Sequence, residues 1–321
     1  MILSVHEWES FDKEHPAPTF FARPAFARAL HDAFPRLEPA PVAVVESGEW
    51  YLVPAVSSRN ALGLSSGVGL PLGGYSSVAD RRGGVVREPM LSPVVRAAAH
   101  EFDAFEFTGW PLAGQPSLGS WAQTPLTTAV IDCAGGLQSS LKSMRGVTRR
   151  MAGQAARRGV QCIRTEADDR TLRIYYDMLE ESSKGWGYAS PTIPFRLLRA
   201  VFAHGREDAE LWFAMLDDHP IAGAIVLFGS QELFFWSAAM RRTYSQHRPS
   251  NALNVRLIER ACERGVRWYN LGASEGLAGV ERFKHDLGAA DVSYRRVQYQ
   301  SRVAALYRRV RGGLRAGMVG S

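Results

Sequence analysis

Lysine is the rare cation of this chain. Only Lys13, Lys142, Lys184 and Lys284 stand among its 38 basic residues, and the rest are arginine. A lysine carries a compact point charge on a flexible stem, and against this arginine background a retained lysine is slightly more informative than an arginine. Lys284 follows Phe283 in a short predicted helix, Gly279–Leu287, and is the first candidate; the competing reading is a plain surface lysine. A second group is Arg241, Arg242 and Arg248, just ahead of a helix expected to open at Asn251. Helix N-terminal amides flanked by arginines suit a phosphate or another anion. Asn251 reads equally well as the helix cap. The eight histidines show no metal-ligand spacing, so no metal is expected. Ser274-Glu275 and His285-Asp286 give no triad order, and no phosphate-binding glycine loop or dinucleotide fingerprint is present.

These residues need a scaffold, and the periodicities describe one. A helix over Leu141–Arg158 has Leu141, Met144, Thr148, Met151 and Ala155 on one stripe, and Gly159 stops it. Further helices are expected over Pro24–Phe34, Ser92–Phe102, Asp169–Ser182, Pro194–His204 and Asn251–Arg264. Strand patterns at Glu210–Leu216, Ile221–Phe228 and Glu232–Met240, separated by short polar turns, predict an antiparallel meander. Arg267–Leu271 and Asp291–Gln300 predict later strands, and Pro41–Glu46 with Glu49–Val56 an early hairpin through Ser47-Gly48. The stretches Gly63–Ser77 and Gly109–Thr124 read as loops. The expected organisation is an N-terminal unit over 1–125, a C-terminal unit over 126–300 and a basic amphipathic tail over 301–321. The fold class is α/β (α+β), with mixed, mostly antiparallel sheets.

Composition bounds the rest. The chain has 321 residues, a formal net charge of +6 and 46% hydrophobic residues. That balance fits a globular protein with a polyanionic partner such as RNA, a phosphorylated substrate or an anionic membrane face. A GC-rich coding bias toward arginine explains the same excess. Cys133, Cys162 and Cys262 are far apart and read as reduced. The N-terminus lacks a signal-peptide core and no run is long enough to span a bilayer, so the expected location is cytoplasmic, with the basic tail able to touch the inner face of the membrane.

Four ordered segments then carry a resemblance. They are the basic helix from Lys142 through Arg149-Arg150 to Arg157-Arg158; Ile221-Ala-Gly-Ala-Ile225 with Phe234-Phe-Trp236-Ser-Ala-Ala239; Pro249-Ser-Asn251-Ala-Leu-Asn254; and Asn270-Leu-Gly-Ala-Ser274 with Gly279-Val-Glu-Arg-Phe283-Lys284. Over roughly residues 140–300 the chain resembles the FemABX-like branch of the GNAT acyltransferases, whose best-known members add amino acids from aminoacyl-tRNA to peptidoglycan precursors. The resemblance implies tandem GNAT-like subdomains and transfer of an acyl group to an amine. Phe283-Lys284 matches the family's Phe-Lys pair, with Lys284 stabilising charge near the donor. Arg241, Arg242, Arg248, Asn251 and Asn254 would hold the donor. Lys184, Tyr188, Tyr75, Asp80 and Trp236 would line the acceptor side, although Lys184-Gly-Trp-Gly-Tyr188 also reads as a helix C-cap. The resemblance implies no tightly bound cofactor and either aminoacyl-tRNA or acyl-CoA as co-substrate. The partners are then that donor and an amine-bearing acceptor. The acetyl-CoA signature Gln/Arg-x-x-Gly-x-Gly/Ala is absent, as is the Arg-Gly-Pro of peptidoglycan-linked members, where Leu72-Gly73-Gly74 stands. The alternatives are an acyl-CoA-dependent GNAT N-acetyltransferase of a polysaccharide or small amine, and a non-catalytic RNA- or envelope-binding module.

Overall fold

The computed structural model describes residues 1–306 apart from Trp186 and Glu275. The chain opens with helix α1 (Val5–Glu14). Ser4 Oγ accepts from Glu7 N and Glu7 Oε2 accepts from Ser4 N, a reciprocal cap. Helix α2 (Pro24–Ala33) follows. Six short strands come next: β1 (Glu38–Pro39), β2 (Val42–Glu46), β3 (Glu49–Val53), β4 (Val56–Arg59), β5 (Ser65–Gly69) and β6 (Ala79–Asp80). Ser47 and Gly48 both have positive φ, as the predicted β2–β3 turn requires. Helix α3 (Leu91–Ala99) leads to β7 (Ala104–Thr108).

The second half runs β8 (Ala122–Asp132), α4 (Gly136–Ser143), α5 (Gly146–Arg157), β9 (Gln161–Thr165), α6 (Asp169–Gly185) and α7 (Phe195–Gly205). The meander follows as β10 (Ala209–Leu216), β11 (His219–Phe228) and β12 (Glu232–Met240). It turns tightly at Asp217-Asp218, where both residues have positive φ. Helix α8 (Pro249–Glu263), β13 (Trp268–Asn270), α9 (Ala278–Asp286) and β14 (Ala290–Gln300) complete it. A helical turn covers 302–306, and the remainder of the predicted basic tail lies outside the described residues. Among the described residues no helix is long and apolar enough to cross a membrane.

Eleven strands form one sheet in the order β1-β4-β5-β7-β14-β8-β13-β12-β11-β10-β9, and β2-β3-β6 form a second. Only β5/β7 and β12/β13 are parallel pairs of named strands. The two halves meet along β14, antiparallel to β7 on one edge and to β8 on the other. Residue 126, the expected boundary, lies inside β8. Three apolar clusters pack the sheet. One joins the halves, setting Phe21, Phe26 and Leu30 against Tyr175, Leu197 and Phe234. A second lies under α8 and a third under α3.

Two expectations are corrected. The helix expected over Leu141–Arg158 is two helices, because Met144 and Arg145 have extended ψ. Tertiary contacts override the local pattern: Arg145 N donates to Asp286 O, its guanidinium pairs with the Asp286 carboxylate, and Met144 is buried in the second cluster. Gly288 crosses here so closely that a Cβ would lie 2.6 Å from Ser143 Oγ. The stretch Gly63–Ser77 is not all loop, since it contains β5. Gly67 suits that strand because the Phe102 ring fills its side-chain space; a Cβ there would stand 2.6 Å from the ring.

Candidate active site

The parallel pair β12/β13 is bonded only over Glu232–Phe234 and Trp268–Asn270. Beyond that, β12 continues to Met240 alongside β11, while β13 bends toward β8, with Leu271 N donating to Ala129 O at 2.8 Å. The pairing stops at the carboxyl ends of two parallel strands, with crossover helix α8 between them in sequence, the position at which open α/β sheets bind ligands. The β11/β12 register slips between Ile225 and Val226, leaving Trp236 as an extra residue on β12. Its indole Nε1 is buried and has no hydrogen-bond partner among the described residues.

At the start of α8, Arg248 occupies the N-cap position in a left-handed conformation and Pro249 is the first helical residue. Asn251 is inside the first turn, so the cap reading of Asn251 is corrected. No side chain caps the helix, but Pro249 has no N–H and Asn251 N and Ala252 N both donate to Arg248 O, so Ser250 N is the first-turn amide left for an anion. Arg242 and Arg248 are exposed beside it. Arg241 is partly committed, donating to Pro220 O and Glu181. Asn254 is buried, and both ends of its amide are used inside the protein. It donates to Ser250 O and accepts from the Tyr269 hydroxyl at 2.8 Å.

Lys284 is 6% exposed. Its Nζ donates to Gly272 O and Ala273 O, both at 2.8 Å, so it braces the loop that leaves β13. Phe283 is half-buried against the second cluster. On the outer side of α9, Glu281 and His285 approach Asp291 with ligand atoms within 4.8 Å of one another. This grouping of metal-binding residue types has no counterpart in the sequence spacing.

The acceptor-side candidates fall in different places. Lys184 and Tyr188 are exposed at the end of α6. That end is pinned to β12, where Met240 N donates to Ser182 Oγ at 3.1 Å, which brings Lys184's helix beside Arg241. The Lys184–Tyr188 segment does cap α6, with Gly187 at positive φ and Tyr188 N donating to Ser183 O; Trp186 lies outside the described residues. Asp80 is apart from these, its Oδ1 accepting from Arg82 N and Gly84 N within its own turn.

Tyr75 is fully buried, edge-on to Phe21, Phe234 and Tyr294. Burial, reinforced by Glu232, pushes its phenol well above the usual range. It belongs to a buried polar network that sequence reasoning missed. Asn270 Nδ2 donates to Tyr75 OH at 3.1 Å and to Glu232 Oε1 at 2.8 Å. Trp110 Nε1 also donates to Glu232 Oε1, and Thr128 Oγ1 donates to Asn270 Oδ1 at 2.6 Å. Burial raises the Glu232 carboxyl above its ordinary value despite the hydrogen bonds it accepts. Thr19 lies beside it, yet neither Thr19 Oγ1 nor Glu232 Oε2 has a well-formed partner. The sequence pointed to two of the network's members separately, Tyr75 on the acceptor side and Asn270 at the head of a motif, but not to their meeting.

Comparison with known proteins places this geometry. Residues 142–285 match the model of the GNAT acetyltransferase domain. No curated protein matches the chain. Among solved structures, FemX is similar at 13% identity and a TM-score of 0.65, covering 92% of this chain and 96% of its own. A tandem GNAT protein from the clavulanic acid biosynthesis pathway matches at 10% identity and a TM-score of 0.52, over 93% and 97%. The C-terminal domain of a candidate lysylphosphatidylglycerol synthetase from Agrobacterium fabrum matches at 14% identity and a TM-score of 0.53, over 94% of each chain. These identities speak for the fold, and the domain match speaks for the chemistry. Residues 142–285 carry the match to a GNAT acetyltransferase domain, the chain as a whole has the fold of FemX and the tandem GNAT protein, and the domain match supports an acyltransferase.

Proposed function

We propose that the protein moves an aminoacyl or acyl group from a phosphate-bearing carrier to the amine of a cell-envelope precursor, working as two GNAT-like units over 1–125 and 126–300. The observation that carries this reading is the separation of β12 from β13 in front of an uncapped, arginine-flanked α8. In that reading Arg242 and Arg248, with Ser250 N at the start of α8, take the donor's phosphates. Lys284 and its loop stabilise the oxyanion that forms when the amine attacks the acyl carbon. Trp236 and the end of α6 with Lys184 and Tyr188 face the acceptor, whose amine must arrive unprotonated.

For the donor, the arginine surface favours aminoacyl-tRNA. Lys142, Arg149, Arg150, Arg157 and Arg158 on and beside α4 and α5 are exposed, no acidic residue interrupts either helix, and Arg158 reaches Gln246 O beside α8. The GNAT acetyltransferase domain match favours the second reading, an acyl-CoA. A site near the inner membrane face suits a lipid-linked or envelope acceptor. The deciding experiment is a pair of titrations. Binding of tRNA that weakens steeply with salt supports the first donor. A salt-resistant thermal shift with CoA supports the second. Turnover by Lys284→Met at near the parent rate would remove Lys284 from the chemistry, and binding of tRNA with no transfer to any amine would leave a non-catalytic module.

A further inference from the structure

Asn270 is the last residue of β13, and its side chain connects to both halves of the molecule. Its Oδ1 accepts from Gly272 N at 2.9 Å, closing a turn over two residues at the point where the chain leaves β13. Gly272, at φ +73, and Ala273 present the two carbonyls that accept from Lys284 Nζ. An amide held on one side only can turn over and exchange its oxygen for its nitrogen. Here the Nδ2 side is fixed by Glu232 Oε1 and Tyr75 OH, and the Oδ1 side also receives Thr128 Oγ1. Each of these partners of Asn270 is buried, so each bond resists replacement by water.

We infer that Asn270 is a positioning residue. It sets the Gly272–Ala273 carbonyls, and through them the place of the Lys284 ammonium, using an orientation fixed from the N-terminal half by Tyr75. The functional weight of this inference rests on the reading that Lys284 is the catalytic cation; the geometric claim can be tested without it. Glu232, anchored by Trp110 Nε1, is the fixed post of the arrangement. The chain Trp110–Glu232–Asn270–Gly272–Lys284 therefore runs from the connection that follows β7 to α9 through side-chain and backbone contacts alone.

The scarcity of lysine makes the test clean. Brief labelling of the whole protein with an amine-reactive ester, read by peptide mass spectrometry, reports all four lysines at once. Lys13, Lys142 and Lys184 are exposed and serve as internal standards, and Lys284 should label slowest. Asn270→Ala should speed labelling of Lys284 by about tenfold, the scale of one lost buried hydrogen bond, with the other three unchanged. Asn270→Ser can still accept from Gly272 N and should restore most of the protection. Tyr75→Phe, a gentle variant that keeps the ring packing, should give a smaller rise confined to Lys284. An unchanged Lys284 rate in Asn270→Ala, or a parallel rise at all four lysines, would overturn the inference. Failure of Lys284→Met to lower turnover would sink the catalytic assignment and leave the labelling result standing, so the two claims fail separately.

Discussion

Replacing Glu232 by glutamine should stabilise the protein at neutral pH, whereas replacing it by alanine should destabilise it. The alanine variant strands two donors, Trp110 Nε1 and one bond of Asn270 Nδ2, in a site of zero exposure. Each stranded donor costs about 1–3 kcal/mol, and the cavity adds to that. The loss should therefore reach about 2–6 kcal/mol before the cavity is counted. Glutamine keeps an oxygen for both donors, and its new N–H₂ can supply Thr19 Oγ1, which lacks a well-formed partner. The pH dependence separates the cases. Burial raises the Glu232 carboxyl, so the folded state holds its proton more tightly than the unfolded state. That contribution is complete below the unfolded carboxylate pKa and is lost as pH rises through the folded one. The stability difference between parent and Glu232→Gln should thus change by up to about 1.4 kcal/mol per pH unit within that window, to the disadvantage of the parent. Urea unfolding of the three proteins between about pH 4 and about pH 8, a span that starts at the ordinary carboxylate range, reads the effect. A glutamine variant as unstable as the alanine one, or a parent–glutamine difference flat with pH, would refute the reasoning.

Glu210 should behave in the opposite sense. Burial would raise its carboxyl, but hydrogen bonds from Arg260 and Trp212 and the charge of Arg260 outweigh that and hold it low. Its stabilisation is present above the unfolded pKa and lost as pH falls, so Glu210→Gln should cost most near neutrality and least in acid, read by denaturation at both. Gly229→Ala should cost about 1–3 kcal/mol in thermal unfolding, because a Cβ there would lie 2.3 Å from Pro18 O, where the 16–19 segment is bonded to the β11–β12 turn. Arg242→Ala with Arg248→Ala should weaken binding of a phosphate-bearing donor and lower the salt slope by about two if each arginine meets one phosphate; an unchanged slope would take them out of the donor site.

Much of the scaffold was legible because it is local. The β10–β12 meander follows from alternating strands and short turns, and α6, α7 and α8 from their apolar stripes. Helix α1 was not among the expected elements, although Ser4-x-x-Glu7 has the spacing of a capping box. The break between α4 and α5 was not legible, because its causes are Asp286 and Gly288; Asp286 lies 141 residues downstream of Arg145. The candidate site divides the same way. Lys284 stood out by its rarity and motif, but its partners are backbone carbonyls that no motif encodes. Glu232 and Tyr75 meet Asn270 across 38 and 195 residues, and a lone glutamate in an apolar strand carries no mark of that meeting.

The position of β14 bears on how the molecule is made. This strand is near the end of the described chain but lies in the middle of the main sheet, between β7 and β8. During synthesis both of those strands leave the ribosome with an edge still open, and neither edge closes until residue 300 is free of the exit tunnel. A nascent chain stalled before Ala290 would present two unpaired β edges from opposite halves at once, a template for sticking to its neighbours. Strand β14 thus acts as a keystone, closing both edges in one step.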